Sequence, residues 1–254
     1  MIRELATVLS NEQCYEGGYV AWFDAPTLAA AGHTPGQFVM VRCSDEGGDP
    51  EFSRAFSYHR AEEGRVALLY TVAGRGTAWL AGRRRGDTVS LYGPLGNGFR
   101  LPDGSGNLLL VAGGVGVAPM IDLAEVALTE GHQVTAMMGA RTASQLLPAS
   151  YWPSEVEYVV VTEDGSQGLK GRVTEHLDEY VAWSSKLYAC GPNPMFASMA
   201  VALRDNGRRQ TPEILMEENM PCGWGLCYGC AVFTRHGVRL CCKDGPRFNL
   251  FDVF

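Results

Sequence analysis

The sequence predicts a multidomain β plus α/β fold, in which an antiparallel barrel precedes a parallel-sheet domain and a small cysteine-rich C-terminal domain. Short runs with a period of two fill the first part of the chain, between Gly, Pro and Asp residues. Apolar runs then alternate with helical segments, a pattern typical of a parallel sheet. Five of the eight cysteines lie between Cys222 and Cys242. We expect domains at 1–101, 102–212 and 213–254.

Composition describes a globular protein without a nucleic-acid or membrane role. The 254 residues are 46% hydrophobic and 19% charged, and a formal net charge of -7 gives nucleic-acid binding no electrostatic support. The first residues lack a signal-peptide pattern, and no run approaches the roughly 18 apolar residues of a membrane span. We therefore expect a cytoplasmic protein, where clustered thiols are more often metal ligands than disulfides.

The first domain is predicted to be an antiparallel Greek-key barrel. Its period-two strands are expected at 18–23, 37–43, 65–72 and 88–92, with one short helix at 77–82. Three motifs lie on this frame, and one of them is the turn at 93–99, which closes the barrel. Arg54-Ala55-Phe56-Ser57 offers a guanidinium for a phosphate and a hydroxyl for a flavin ring, although R-x-x-S also occurs by chance. Gly74 to Thr77 opens a helix and would present amides to a pyrophosphate, or would be an ordinary helix start.

The second domain is predicted to be a Rossmann-like parallel sheet. The stretch 101–106 has the composition of a linker. A strand at 107–112, a glycine turn and an amphipathic segment to Glu130 then form a dinucleotide-binding opening. Further strands are expected at 133–138, 156–161 and 186–189, and further helices near Thr142 and at 174–182.

The dinucleotide fingerprint of this domain is imperfect. Gly114 and Gly116 fit G-x-G-x-x-G, but Pro119 stands where the third glycine would be. The acidic residue expected after the second strand is also absent, since that position reads Gly-Ala-Arg-Thr at 139–142. A variant of the Rossmann site is therefore a better interpretation than the standard one.

The cysteine-rich segment has the spacing of an iron–sulfur loop. Cys222, Cys227 and Cys230 follow C-x4-C-x2-C, which is the plant-type [2Fe–2S] arrangement. A hairpin with its turn at His236-Gly237 would return the chain to the metal, with Cys241 and Cys242 both in range. Zinc would favour paired C-x2-C knuckles, and a Rieske centre would need two histidines where this segment has one.

The order of motifs resembles a known family. PGQFVMVR at 35–42, then RAFS, GRGT and the turn GPLGNGF at 93–99, is similar to the ferredoxin-reductase-type FAD/NAD module. With the cysteine loop and the CKDGP that ends it at 242–246, nearly the whole chain resembles the electron-transfer subunits of type B dihydroorotate dehydrogenases.

The resemblance implies a set of cofactor residues. FAD would contact Arg54, Ala55, Phe56, Ser57, Leu69, Tyr70, Thr71, Gly76 and Thr77. Exchangeable NAD would lie at Gly113, Gly114, Gly116, Cys190 and Gly191, with Cys190 beside the nicotinamide ring. The [2Fe–2S] ligands would be Cys222, Cys227, Cys230 and Cys242, with Cys241 pointing away. The family often has a proline after its arginine, whereas this chain has Ala55-Phe56, so we expect an aromatic ring near the flavin.

The resemblance also implies a function that needs no general acid or base in this chain. Electrons from dihydroorotate, oxidised at the FMN of a partner catalytic subunit, would pass through the [2Fe–2S] cluster and FAD to NAD+ in de novo pyrimidine (UMP) biosynthesis. The expected assembly is a heterotetramer with two copies of each subunit. One alternative is a stand-alone NAD(P)H-dependent reductase that donates electrons to a ferredoxin or an oxygenase. Another alternative is a non-enzymatic nucleotide-binding sensor whose cysteine loop is held together by structural zinc.

Overall fold

The first part of the chain folds into a curled antiparallel sheet of seven strands. The computed structural model describes residues 2–45, 48–205 and 211–254. The sheet order is β4-β3-β7-β1-β2-β6-β5. The strands are β1 (Ile2–Tyr15), β2 (Gly18–Asp24), β3 (Phe38–Val41), β4 (Arg54–Ser57), β5 (Arg60–Glu62), β6 (Arg65–Thr71) and β7 (Thr88–Leu95). Two short helices accompany them, α1 (Pro26–Ala30) and α2 (Arg75–Ala81).

Burial differs between the strands of this sheet, since β7 alternates buried and more exposed side chains and β6 does not. In β6 the residues from Val66 to Tyr70 are buried on both faces, because the sheet curls and brings β4 towards β6. The ring of Phe56 meets the ring of Tyr70 edge-on, with 5.7 Å between centroids. The predicted strands at 18–23, 37–43, 65–72 and 88–92 are confirmed. The sequence did not indicate β1, the longest strand, which pairs with both β2 and β7.

The second sheet also has seven strands, in the order β11-β10-β9-β8-β12-β13-β16. Its strands are β8 (Asn107–Gly113), β9 (Gln133–Ala140), β10 (Glu157–Thr162), β11 (Leu169–Lys170), β12 (Lys186–Cys190), β13 (Glu213–Leu215) and β16 (Arg247–Asn249). All pairs are parallel except β13 with β16. Its helices are α3 (Ala118–Thr129), α4 (Leu177–Trp183), α5 (Asn193–Asp205) and α6 (Leu250–Val253). The predicted parallel sheet is confirmed.

The helix predicted near Thr142 is wrong. That region contains only two short 3-10 turns, Ala143–Gln145 and Ala149–Tyr151. Pro148 and Pro153 cannot donate the backbone hydrogen bonds that an α-helix requires there. Burial of Leu147 and Trp152 fixes this connection against the sheet instead.

The cysteine-rich segment is joined to the second sheet. It leaves from β13 and returns as β16, and between them lies the hairpin of β14 (Ala231–Thr234) and β15 (Gly237–Leu240). The hairpin was predicted, but Thr234 pairs with Gly237, so the two turn residues are 235 and 236. Cys241 and Cys242 follow in a turn. Within the described ranges, no helix combines the length and apolar character needed to cross a membrane.

Candidate functional site

The four predicted ligand cysteines lie together as two pairs. Sγ of Cys230 lies 3.3 Å from Sγ of Cys242. The side chain of Cys227 is within hydrogen-bonding reach of Cys222. Among the described residues, no three His, Cys, Asp or Glu side chains converge on a single-ion site. In a [2Fe–2S] cluster each of the two irons is bound by two thiolates, so each pair of cysteines would supply the ligands of one iron.

Backbone amides point at all four of these sulfurs. The amide of Gly225 donates to Cys242 at 3.0 Å, and three longer contacts of 3.4 Å reach the other thiols. Their donors are Trp224 to Cys222, Gly229 to Cys227, and Cys242 to Cys230. Amide donors stabilise the negative charge of ligand and inorganic sulfur. The loop therefore fits a thiolate-bound cluster.

The thiol groups of the loop differ in acidity. Burial acts to raise the pKa of Cys222, but amide hydrogen bonds from the stretch 224–227 outweigh it and lower that pKa to about 6. Burial and the neighbouring Cys230 raise the pKa of Cys242 to about 12. Burial also raises the pKa of Cys241. The Cys241 thiol turns away from the pairs and donates to the carbonyl of Met216 at 3.1 Å.

Two of the predicted FAD segments meet at the edge of the first sheet. A Cβ on Gly76 would lie 3.2 Å from Cγ of Arg54 and 3.2 Å from Cβ of Cys43, so only glycine fits this approach without displacement. The Arg54 guanidinium donates to the carbonyls of Phe52 and Ser53 at 2.7 and 3.3 Å. The hydroxyl of Thr77 accepts from the amides of Ala73 and Gly74, which fixes the start of α2.

The side chains of β4 and β6 are largely occupied by the protein itself. Phe56 is 8% exposed and packs in the barrel core, so strand β4 offers a flavin mainly backbone at this position. Leu69 and Tyr70 are each 2% exposed, and the Tyr70 hydroxyl donates to Asn11 at 2.8 Å. The hydroxyl of Thr71 shares a 3.1 Å hydrogen bond with Tyr15. Ala55 and Ser57 are half-buried.

The predicted nicotinamide residues converge at the carboxyl ends of β8 and β12. These strands are neighbours, with Ala112 opposite Cys190. A Cβ on Gly116 would overlap the carbonyl of Cys190, and one on Gly113 would lie 2.8 Å from Sδ of Met195. A Cβ on Gly191 would lie 2.5 Å from Cε of the same methionine. Ligands of open α/β sheets bind beyond the carboxyl ends of the strands, where these glycines lie.

Glu217 lies beside Cys190, and sequence reasoning missed it. Its Oε1 lies 3.8 Å from Sγ of Cys190. Glu217 is accessible to solvent, yet the protein crowds around it, and this desolvation raises the pKa of its carboxyl group. Burial, and then the Glu217 charge, raise the pKa of Cys190. The sequence held one signal for this contact. Glu217 is an acidic residue two positions after β13, and β13 pairs with β12, the strand that ends at Cys190.

Two family models match the chain. Residues 217–254 match the iron-sulfur cluster binding domain of dihydroorotate dehydrogenase B, and residues 110–200 match the oxidoreductase NAD-binding domain.

Relatives match almost from end to end. The dihydroorotate dehydrogenase B (NAD(+)) electron transfer subunit of Desulforamulus reducens is 37% identical, over 98% of this chain and 97% of the relative. The subunit of the same name from Geobacillus thermodenitrificans is 34% identical, over 99% of this chain and 98% of its own.

Solved structures share the fold. An NADH-dependent reduced ferredoxin-NADP oxidoreductase, described in connection with flavin-based electron bifurcation, superposes with a TM-score of 0.87 at 27% identity, over 99% of this chain and 90% of the other. A ferredoxin NADP+ reductase from Neisseria gonorrhoeae with bound FAD and NADP gives a TM-score of 0.69 at 20% identity, over 85% and 98% of the two chains. The predicted combination of an antiparallel barrel and a Rossmann-like sheet is thereby confirmed.

Proposed function

The chain belongs to the family of dihydroorotate dehydrogenase B electron transfer subunits, and on that premise we propose that it relays electrons from dihydroorotate oxidation to NAD+ in pyrimidine (UMP) biosynthesis. The observation that carries the proposal is the arrangement of four cysteines in two pairs on a loop beside the flavin-type barrel. When bound, nicotinamide exchanges hydride, FAD converts electron pairs to single electrons, and the cluster carries one electron at a time.

The work of the chain's own residues is placement and electrostatics. The thiolates of Cys222, Cys227, Cys230 and Cys242 would hold the cluster, and the loop amides would stabilise its negative charge. The edge formed by β4 and Gly76 would hold FAD, with Arg54 as the cation for its phosphates. The glycine turns after β8 and β12 would admit NAD from solvent.

The partner would dock over the cysteine loop. Three large side chains of the loop are exposed: Trp224 at 48%, Leu226 at 79% and Tyr228 at 67%. Exposed apolar side chains clustered on one loop mark an interaction surface. The partner of this proposal is an FMN-containing catalytic subunit that oxidises dihydroorotate, in a heterotetramer with two copies of each chain.

Anaerobic purification tests the proposal most directly. Co-expressed with the catalytic subunit, the chain should form a complex of two plus two by native mass measurement. Its visible spectrum should show flavin and [2Fe–2S] absorption, and dihydroorotate should reduce NAD+ only when both subunits are present. A colourless chain would overturn the redox function, and a coloured chain that never binds the catalytic subunit would overturn the partner.

Arg54→Ala tests the flavin site. Loss of a charge-assisted hydrogen bond to phosphate should weaken FAD binding by about 1.5–3 kcal/mol, or roughly 10- to 100-fold. Arg3→Ala is the matched control, because Arg3 lies on the same sheet and, among the described residues, its guanidinium donates to the Ser90 hydroxyl. Flavin occupancy after gel filtration gives the answer. Equal occupancy in the two variants would place the phosphate site elsewhere.

A stand-alone reductase is the second candidate, and the superposition on the ferredoxin-linked oxidoreductase favours it. Such an enzyme would reduce a ferredoxin at the expense of NADH or NADPH without a pyrimidine-oxidising subunit. Ferredoxin reduction by the isolated chain, faster than dihydroorotate-dependent NAD+ reduction by the complex, would replace our first choice. The same assay with both nucleotides would establish which one is preferred.

We place the protein in the cytoplasm. All eight cysteines are free in the structure, as a reducing compartment requires. Cell fractionation followed by immunodetection tests this placement, and recovery of the chain outside the cytoplasmic fraction would contradict it.

A further inference from the structure

Strand β7 of the barrel contacts the Cys222 end of the cysteine loop. The hydroxyl of Tyr92 donates to the carbonyl of Cys222 at 3.2 Å. Its ring also lies against Trp224, with 5.7 Å between centroids and 35° between planes. This hydroxyl reaches a ligand residue through its backbone, so it can fix the position of the thiolate without touching the sulfur.

The turn after β7 contacts the other end of the loop. The backbone amide of Asn97 donates to Gly245 at 2.7 Å. Its side-chain amide donates to the carbonyls of Lys243 and Asp244, at 3.1 and 3.0 Å. These are the carbonyls of the two residues that follow Cys242. Strand β7 and its turn thus hold the chain at the first and the last of the four predicted ligands.

The same strand is in register with the flavin-binding edge. In strand β3, which lies between β4 and β7, Met40 pairs with Tyr92 on one side and with Ala55 of β4 on the other. A Cβ on Gly223 would lie 2.8 Å from Cγ of Met40, so the loop rests directly on this row. Neighbouring strands are about 4.8 Å apart, so two strand spacings, roughly 10 Å, separate the β4 backbone from that of Tyr92.

We propose that Tyr92 and Asn97 are positioning residues that set the separation and orientation of the cluster relative to the flavin. The proposal rests on the proposed function, since it assumes a cluster on the loop and FAD at β4. The loop between β13 and β14 has no helix or strand of its own. Its position therefore depends on such contacts, and a redox site works only when the groups around it are held rigidly.

Conservative variants test each hydrogen bond. Tyr92→Phe keeps the ring against Trp224 and removes the hydroxyl, with its bond to the Cys222 carbonyl and its side-chain contacts to Trp224 and Ser53. Asn97→Asp keeps the shape and removes both side-chain donors. Tyr158→Phe and Asn107→Asp are matched controls, since these residues donate to backbone carbonyls of Leu147 and Trp183 in the second domain.

The full chain, purified anaerobically with flavin and cluster, is mixed with NADH in a stopped-flow spectrometer. Flavin reduction should keep its rate in all four variants. Transfer from flavin to cluster should slow severalfold in Tyr92→Phe, because the Cys222 end of the loop loses its hydrogen bond to the barrel and the cluster is no longer held at its distance from the flavin. Asn97→Asp should slow this electron transfer further, because the negative carboxylate would repel the carbonyl oxygens of Lys243 and Asp244. The electron paramagnetic resonance spectrum of the reduced cluster should shift in both variants and in neither control.

The outcomes separate this proposal from the proposed function. A wild-type chain without flavin or cluster absorption would overturn both. A loaded wild type, with spectra and transfer rates unchanged in Tyr92→Phe and Asn97→Asp, would overturn the positioning role alone. Equal changes in the Tyr158→Phe and Asn107→Asp controls would also overturn it, because they would indicate general loosening of the fold.

Discussion

The turn at 113–117, called here the nicotinamide turn after its predicted ligand, and the cysteine loop at 222–230 are both rich in glycine, for different physical reasons. In the nicotinamide turn, Gly116 allows one backbone to approach another, because any Cβ would overlap the carbonyl of Cys190. In the cysteine loop, Gly223 and Gly225 have φ values of 73° and 83°, which side chains other than glycine rarely adopt. Glycine is needed at Gly116 for space alone, whereas Gly223 and Gly225 are needed for the direction of the backbone as well as for space.

The difference matches what each site must do with its cofactor. Gly114, at the open side of the nicotinamide turn, has no atom within 4 Å of its Cβ position. Gly223 and Gly225 instead lie against Met40 and Lys243. A nucleotide that must bind and dissociate needs a binding turn that is open to solvent. A permanently bound cluster is better held by a loop whose backbone packs against neighbouring side chains.

Loss of a ligand should have the largest effect and tests the cysteine loop. Cys242→Ser should reduce iron from roughly two atoms per chain to nearly none, because an iron loses a thiolate. Cys241→Ser is the control, since that thiol only donates to Met216 and should leave the iron in place. Iron analysis and the visible spectrum measure both. Similar iron content in the two variants would refute the predicted ligand set.

Crowding of the nicotinamide turn should have the next largest effect. Gly116→Ala forces a methyl group into the Cys190 carbonyl and should cost about 1–3 kcal/mol of stability, with weakened NADH binding. Gly114→Ala meets no neighbour, and at φ 54° it should cost about 1 kcal/mol from backbone strain. Chemical denaturation and NADH titration compare them. If Gly114→Ala were the less stable of the two variants, steric crowding at Gly116 would not be the main reason for glycine in this turn.

Glu217→Gln should have the smallest effect, and it tests the contact between Glu217 and Cys190. The amide keeps a hydrogen-bonding group, so hydride transfer from NADH should slow only about threefold. Desolvation raises the pKa of Glu217 above 4.5 in the folded chain. The stability that its protonation provides is therefore present below pH 4.5 and is lost as pH rises through the folded pKa.

The variant cannot titrate at this position, so its melting temperature relative to wild type should increase as pH rises through that window. Glu218→Gln, one residue further along, is the control. A pH-independent difference would show that Glu217 keeps its ordinary acidity.

Much of the fold was predictable because it depends on local periodicity. Most strands have unbroken apolar or alternating patterns, such as Leu108 to Ala112, and their predicted ends lie within about three residues of the observed ones, close to the usual uncertainty of element ends. Strand β1, in the middle of the first sheet, was missed. The helix expected near Thr142 failed because two prolines override a weak apolar period there.

The site was predictable where residue type alone specifies chemistry. Cysteine spacing and glycine turns indicate a cluster and a nucleotide without knowledge of the fold. The contacts of Tyr92 with Cys222 and of Asn97 with Gly245 join residues well over a hundred positions apart, and such contacts have no local signature. Glu217 lay hidden for the same reason, since its partner Cys190 is on another strand.

The pairing of β13 with β16 has a consequence for the metal-free chain. Glu213 pairs with Asn249 and Leu215 with Arg247, so the cysteine segment is a loop whose two ends are tied together at its base. The strand pairing closes this loop before iron binds, so binding of the cluster needs a smaller loss of chain entropy to bring the four thiols together. Many small metal domains unfold when their metal is removed. Here we expect loss of the cluster to leave a loop that is still tethered at its base by β13 and β16.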